Sequence, residues 1–296
     1  MPQREKKKVI PANQRDMLHR SGYVHLKHFF DRDAVKRLRS MSDEMSRRAR
    51  FVLSSAGLAG ESLSHRARHN PQELIVVPEA RTPSVVCRYE FMLGSHCSFR
   101  EFIHSQVLPY VSLLVGESVC PFKDKTNEKP PGGGAFTPHQ DFAAYRSFSP
   151  RYYVTALLSI DPTNLRNGCL QFATNLDALV STRPEYLADS SKSSRLLQYV
   201  DHGGPNHGDI IPEIVSHLSW EPAETTPFDL VVFDAFVPHF SAMNAAGSSR
   251  RAIFITFNLT SEGAFYDHYY ADKRAHYDDP KFHVSTPTLR EYGTAS

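Results

Sequence analysis

The chain has 296 residues, 41% of them hydrophobic, and a formal net charge of +2 at pH 7. That length supports one large core or two small ones, and the near-neutral balance argues against a nucleic-acid partner. No apolar run approaches the roughly 18 residues of a membrane helix and no signal peptide opens the chain, so no membrane partner and a cytoplasmic location are expected.

In chain order, residues 1–12 read as a solvated tail carrying the basic run Arg4 to Lys8. Apolar residues at three-to-four spacing predict helices over 14–20 and 32–50. The second carries Val35, Leu38, Met41 and Met45, with Asp31 and Asp33 placed to cap it. Between them, Gly22 to Phe30 alternates as a strand does. Residues 54–73, rich in Ser, Gly, His and Arg, read as a mobile loop. Val85 to Met92 predicts a strand, and Phe99 to Val115 a helix ending at Gly116.

From Cys120 the texture changes. Short apolar or alternating runs predict strands at 122–127, 152–160, 169–173, 230–236 and 252–259, separated by turns such as Pro130 to Gly134 and Asn167-Gly168. Residues from about 177 to 215 show no strong pattern and read as a long insertion, a lid or disordered. A single domain over 1–296 is expected: a helical flank with outer strands over 13–118, a β sandwich or barrel over 119–262, and a C-terminal extension over 263–296. Cys87, Cys97, Cys120 and Cys169 show no CxxC spacing and read as reduced thiols.

Two segments about 100 residues apart carry the chemistry: Pro138-His139-Gln140-Asp141, and Pro238-His239 followed eleven residues on by Arg250. In a strand, residues i and i+2 share a face, so His139 and Asp141 can grip one ion from a strand end while Gln140 faces away. His239, just past a buried strand, is the third ligand. Two histidines and a carboxylate on one face suit a ferrous ion and leave positions for a bidentate ligand and dioxygen. Two further His-x-Asp triplets, His207-Gly-Asp209 and His276-Tyr-Asp278, lack such a partner; the last is followed only by His283.

Arg250 shares a strand face with Ala252, Phe254 and Thr256, and Arg251 lies on the other face. An arginine pointing into a barrel needs an anion, and a carboxylate is its best geometric partner. Ser241, two residues past His239, is placed to donate to that carboxylate. Lys123, Lys125, Asn127 and Lys129 alternate along one face. Either this is a polar outer face, or Lys125 or Asn127 points into the pocket, where Thr155 and Leu157 of the next strand also belong. Phe142, Tyr145, Arg146, Tyr152 and Tyr153 form either a substrate wall or core and lid packing. Aromatic faces suit a quaternary ammonium, and Arg146 or Arg88 a phosphonate or carboxylate.

These residues resemble the phytanoyl-CoA dioxygenase-like iron and 2-oxoglutarate oxygenases over about residues 22–277. His139-Gln-Asp141 resembles the HQD motif, Asn167-Gly-Cys-Leu170 the NGCL turn, and His239, Ser241, Asn244 and Arg250 the distal set. Within the family the likeness is nearest to the 2-(trimethyl)aminoethylphosphonate hydroxylase type, through Lys123-Asp-Lys125, Ser159 to Thr163, Arg250-Arg251 and Tyr269 to Arg274. Phe142 departs from it, since a small residue is expected there.

The resemblance implies a mainly β fold, a double-stranded β-helix (jelly roll, cupin-like) with flanking N-terminal helices. It implies Fe(2+), 2-oxoglutarate and O2, with His139, Asp141 and His239 on the metal, and Arg250 and Ser241 on the co-substrate, joined by Lys125, Asn127, Gln140, Thr155 and Leu157. Phe142, Tyr145, Arg146, Tyr153 and Arg88 would meet a small-molecule substrate. The reaction expected is aliphatic C–H hydroxylation of a small polar molecule, aminophosphonate or quaternary-ammonium-like, by a monomer or homodimer. Alternatives are hydroxylation, desaturation or cyclisation of a secondary metabolite, a non-oxidative cupin-like metal protein, and an inactive binding protein.

Overall fold

The computed structural model of the chain describes residues 12–80, 82–189, 195–201 and 206–282; the basic run Arg4 to Lys8 and His283 lie outside them. Helix α1 (Ala12–Ser21) leads into strand β1 (Tyr23–Leu26). Helix α2 spans Arg32–Ala59, capped by the Asp31 carboxylate on the Ala34 amide and stopped by Gly60 in the left-handed conformation. Its buried stripe includes Leu38, Met41, Met45, Ala49 and Val52. Helix α3 (Leu63–His69) follows, capped by Ser62. The mobile loop expected over 54–73 is therefore corrected: it is the end of α2, then α3. Only Ala56 and Ala67 are buried along those helical stretches, so no apolar stripe betrayed them.

Strands β2 (Ile75–Pro78) and β3 (Val86–Glu90) come next. Helices α4 (Met92–Ser95) and α5 (Cys97–Phe102), a π-helical turn over 103–107 and α6 (Leu108–Val115) end at Gly116. The barrel strands are β4 (Val119–Lys129), β5 (Phe136–His139), β6 (Tyr153–Ser159), β7 (Leu170–Ala173), β8 (Trp220–Ala223), β9 (Leu230–Asp234), β10 (His239–Ser241) and β11 (Arg250–Leu259). Short α7 (Phe142–Tyr145) follows β5, α8 (Leu176–Thr182) and α9 (Pro212–Val215) lie between β7 and β8, and α10 (Tyr266–Ala275) is followed by a 3-10 turn at Pro280–Phe282.

The strands form two antiparallel sheets, ordered β1-β9-β6-β11-β4-β3-β2 and β5-β10-β7-β8. Their inner faces meet at Phe172, whose ring lies 4.5 Å from Tyr23 and 5.2 Å from Phe233. The arrangement is a jelly roll. Alternation assigns each strand two jobs. Val154, Ala156, Leu158, Ile253 and Ile255 face outward and share one core with Leu38, Met45, Phe99 and Val111 of the helices. Thr155, Leu157, Ala252, Phe254 and Thr256 face inward, in register across β6 and β11.

The insertion over 177–215 is also corrected. Leu176, Leu179, Tyr186, Leu197, Ile210 and Ile214 make a buried cluster of their own. Its far end pairs with the edge of β5, where the Ile210 amide donates to the Pro138 carbonyl at 2.9 Å. No helix among the described residues is long and apolar enough to cross a membrane.

Met45 is fully buried between α2 and the large sheet, whereas Phe51 on the same helix is 66% exposed. Met45→Ala is expected to cost about 2–5 kcal/mol in urea unfolding, and Phe51→Ala no more than about 0.5 kcal/mol.

Candidate active site

Antiparallel pairing of β5 with β10 sets His139 opposite His239, with ring centroids 4.3 Å apart. After His139 the chain leaves the strand, and Asp141 enters α7 in a helical conformation (φ −56°, ψ −29°), which turns its carboxylate back toward the rings. The convergence is thus made by a strand end and a turn together. One ligand atom from each of His139, Asp141 and His239 lies within 4.8 Å of the others, and all three residues are buried.

The imidazoles are oriented by backbone. His139 Nδ1 lies 2.7 Å from the Thr137 carbonyl, and His239 Nδ1 lies 3.1 Å from that of Val237. Each Nδ1–H donates there, so each Nε2 is left as a lone-pair donor facing the centre. Burial and the neighbouring His239 push His139 down to about 3, and burial lowers His239, so both rings are neutral. Burial would raise Asp141, but the nearby Lys125 holds it below its usual value. Two neutral nitrogens and one carboxylate on one face fit a ferrous ion.

Thr137 is held in turn. Its hydroxyl donates to the Asp209 carboxylate, and residues 139 and 209 form an isolated bridge. The second His-x-Asp triplet therefore buttresses the strand that carries the first. The third lies at the surface, where His276 pairs with Asp272 at 2.8 Å.

Next to this centre, Arg250 is buried with 3% exposure. Its guanidinium donates to the carbonyls of Asn167 and Gly168, with no acid paired to it among the described residues. Arg251, on the opposite face, is held by Asp161 and Asp43. Lys129 lies across from Arg250 in the β4–β11 register, and its ammonium donates to Ser241 Oγ at 2.8 Å and to the Ala242 carbonyl at 2.6 Å. Arg250, Lys129 and Ser241 form one anion-ready seat. Lys129 stood in the alternating row but was not singled out, because spacing gave its face and not its neighbour. The signal was its pairing with Arg250.

The outer-face reading of that row is overturned. Strand β4 lies inside the large sheet between β11 and β3, so Lys123, Lys125, Asn127 and Lys129 all point between the sheets. The Asn127 Oδ1 is buried and has no hydrogen-bond partner among the described residues. The Lys125 ammonium lies 5.1 Å from the Phe254 ring centre and interacts with Asp141. Thr155 bonds Thr256 at 2.9 Å, and Leu157 packs with Phe254 and Phe172.

Gln140 is corrected as a co-substrate residue. Facing away from the metal donors, its amide donates to the carbonyls of Arg195 and Phe236 and accepts from the Leu197 amide at 2.7 Å, which ties the insertion down. Arg146 is corrected as a substrate residue. The turn of α7 sends it outward to Asp201, at 2.6 Å, with about half its side chain exposed. Arg88 is buried but engaged: its Nε lies 3.0 Å from Glu90, and it also donates to the Phe282 carbonyl at 3.3 Å. Phe142 stacks on Phe236 at 4.5 Å. Tyr153 packs against Phe122 and Tyr145 in the aromatic core. Of the aromatic set, Tyr145 comes near a charged pocket group, with Lys123 Nζ 5.2 Å from its ring centre.

Sheets and site together define a jelly-roll protein with a two-histidine, one-carboxylate centre beside an anion seat. The chain belongs to the phytanoyl-CoA dioxygenase (PhyH) family, whose model matches residues 18–252. It is 37% identical over 191 residues to the 2-aminoethylphosphonate dioxygenase of uncultured bacterium HF130_AEPn_1, a match covering 64% of this chain and 65% of that relative, just under two thirds of its length. It is 29% identical over 267 residues to the methylphosphonate hydroxylase of Gimesia maris, covering 90% and 87%. The fold is similar to that of EctD from S. alaskensis, solved with 2-oxoglutarate and 5-hydroxyectoine (TM-score 0.61, 16% identity, 86% of this chain and 77% of that one).

Gly168 supplies one of the Arg250 carbonyls at φ +72°, and a Cβ there would lie 2.2 Å from the Ala242 carbonyl oxygen. Gly168→Ala is expected to lower thermal stability and weaken 2-oxoglutarate binding in calorimetry, while Gly57→Ala, with nothing within 4 Å, leaves binding unchanged.

Proposed function

We propose that the protein is an Fe(II)- and 2-oxoglutarate-dependent dioxygenase that hydroxylates an aliphatic C–H bond of a small aminophosphonate-like molecule. The observation that carries this reading is the convergence of His139, Asp141 and His239 next to a buried arginine that lacks an acid partner among the described residues. Iron with 2-oxoglutarate supplies oxygen activation, with O2 reduced as the 2-oxo acid is decarboxylated to succinate.

The chain's own residues do the rest. His139 and His239 offer Nε2 because their Nδ1 protons are held by carbonyls, and Asp141 adds the anionic donor. Arg250, Lys129 and Ser241 take the far carboxylate of 2-oxoglutarate and so fix its orientation. Phe254, Leu157 and Phe172 wall the site with apolar surface, which strengthens each charge contact inside. The names of the two bacterial relatives support a phosphonate over a secondary metabolite.

Asp141→Ala is expected to abolish succinate release and weaken iron binding measured by metal titration, with the fold retained by circular dichroism. Full turnover in that variant would remove Asp141 from the ligand set. Arg250→Ala is expected to raise the 2-oxoglutarate requirement roughly 30-fold or more, the penalty for truncating one partner of a buried charge pair. An unchanged requirement would move the anion seat elsewhere.

A further inference from the structure

A second cluster of buried charge lies on the same inner face, farther along β4 from the Lys129–Arg250 pair. Glu90 of β3 accepts from Lys273 of α10 at 2.7 Å and lies 3.0 Å from Arg88 Nε. Both Lys273 and Glu90 are fully buried. Glu90 is therefore already engaged by two cations. Lys123 projects beside it at 6% exposure, its ammonium 5.2 Å from the ring centres of both Tyr145 and Tyr269. Neither Lys123 nor its neighbour Lys125 makes a hydrogen bond or an ion pair among the described residues.

The charges on this wall do not balance. Four basic side chains, Arg88, Lys123, Lys125 and Lys273, crowd this wall, and Glu90 is the acid set among them, engaged by Arg88 and Lys273. Asp141, which interacts with Lys125, is itself one of the three metal donors. A buried cation with no anion is costly, and ring faces compensate it only in part. Burial has pushed Lys123 down to about 7, against the pull of Glu90. A phosphonate, like a phosphate group, carries roughly one to two negative charges on three acceptor oxygens, more than a carboxylate can offer this surplus.

We propose that Lys123 and Lys125 form a second anion seat, separate from Arg250, Lys129 and Ser241, which holds the phosphonate head of the substrate beside Asp141. The assignment rests on the oxygenase reading for its geometry: one seat for the far carboxylate of the co-substrate, the other for the substrate, and the metal centre between them. Lys123 is the specificity-determining residue of the pair, because it is the more deeply buried and its ammonium sits against two ring faces, with Glu90 already taken by Lys273 and Arg88. Lys273 and Arg88 act through Glu90 and position the wall.

The test is calorimetric titration, without dioxygen, of iron-loaded wild type and the Lys123→Met variant with 2-aminoethylphosphonate, methylphosphonate, inorganic phosphate and 2-oxoglutarate. Phosphonate affinity should fall roughly 30-fold or more in the variant, phosphate should compete with methylphosphonate in wild type, and 2-oxoglutarate affinity should move far less. Lys123→Arg should recover part of the phosphonate binding. Thermal unfolding supplies a reading independent of turnover: ligand-free Lys123→Met should melt no lower than wild type, and methylphosphonate should raise the melting temperature of wild type alone. Equal phosphonate affinity in variant and wild type, a loss confined to 2-oxoglutarate, or wild type that binds neither phosphonate would overturn the seat. Phosphonate binding that depends on Lys123 in a protein that releases no succinate would instead sink the oxygenase reading and leave the seat standing.

Discussion

The two-residue period of a β-strand forces alternate side chains of β4 and β11 into the space between two sheets, and in this chain many of those side chains are cations. Lys123, Lys125, Lys129 and Arg250 enter an interior where an ammonium or guanidinium without an anion costs several kcal/mol. Hydrogen bonds to carbonyls and a serine relieve Arg250 and Lys129 in part. Glu90 relieves Arg88 and Lys273. Lys123 and Lys125 are left without such partners among the described residues, on the side of the site where Asp141 stands.

The metal donors are held by a different economy of contacts. Neither imidazole gives its Nδ1 proton to an acid; each leans on the carbonyl two residues before it, and Pro138 and Pro238 favour extended chain at those preceding residues. The Asp234 carboxylate caps the amides of Phe236 and Val237 at 2.8 Å, which shapes the crossing from β9 in the large sheet to β10 in the small one. The insertion then fastens to β5 through Asp209 and to Gln140 through Leu197. A segment without apolar pattern thus holds the strand end that carries His139 and Asp141.

The C-terminal helix contributes to both faces of β4. Tyr266 and Tyr270 bond Asp124 on its outer side, while Tyr269 and Lys273 reach the inner wall around Glu90 and Lys123. Residues outside the span of the family match therefore complete the pocket.

Much of the site was legible in the sequence. The His139 and Asp141 pair, the distal His239 and the alternation that turned Arg250 inward and Arg251 outward are local features, fixed by spacing along the chain. A sandwich or barrel followed from short runs and turn residues, and only the family likeness narrowed it to a jelly roll. Gln140, Arg146, the Lys129 partnership and the helices over 54–69 were decided elsewhere. Each depends on what lies opposite, such as the Arg195 and Leu197 backbone, Asp201, Ser241, or the caps at Gly60 and Ser62. Periodicity tells a side chain which face it takes; only the folded sheets decide whether that face meets solvent, a carbonyl or an uncompensated charge.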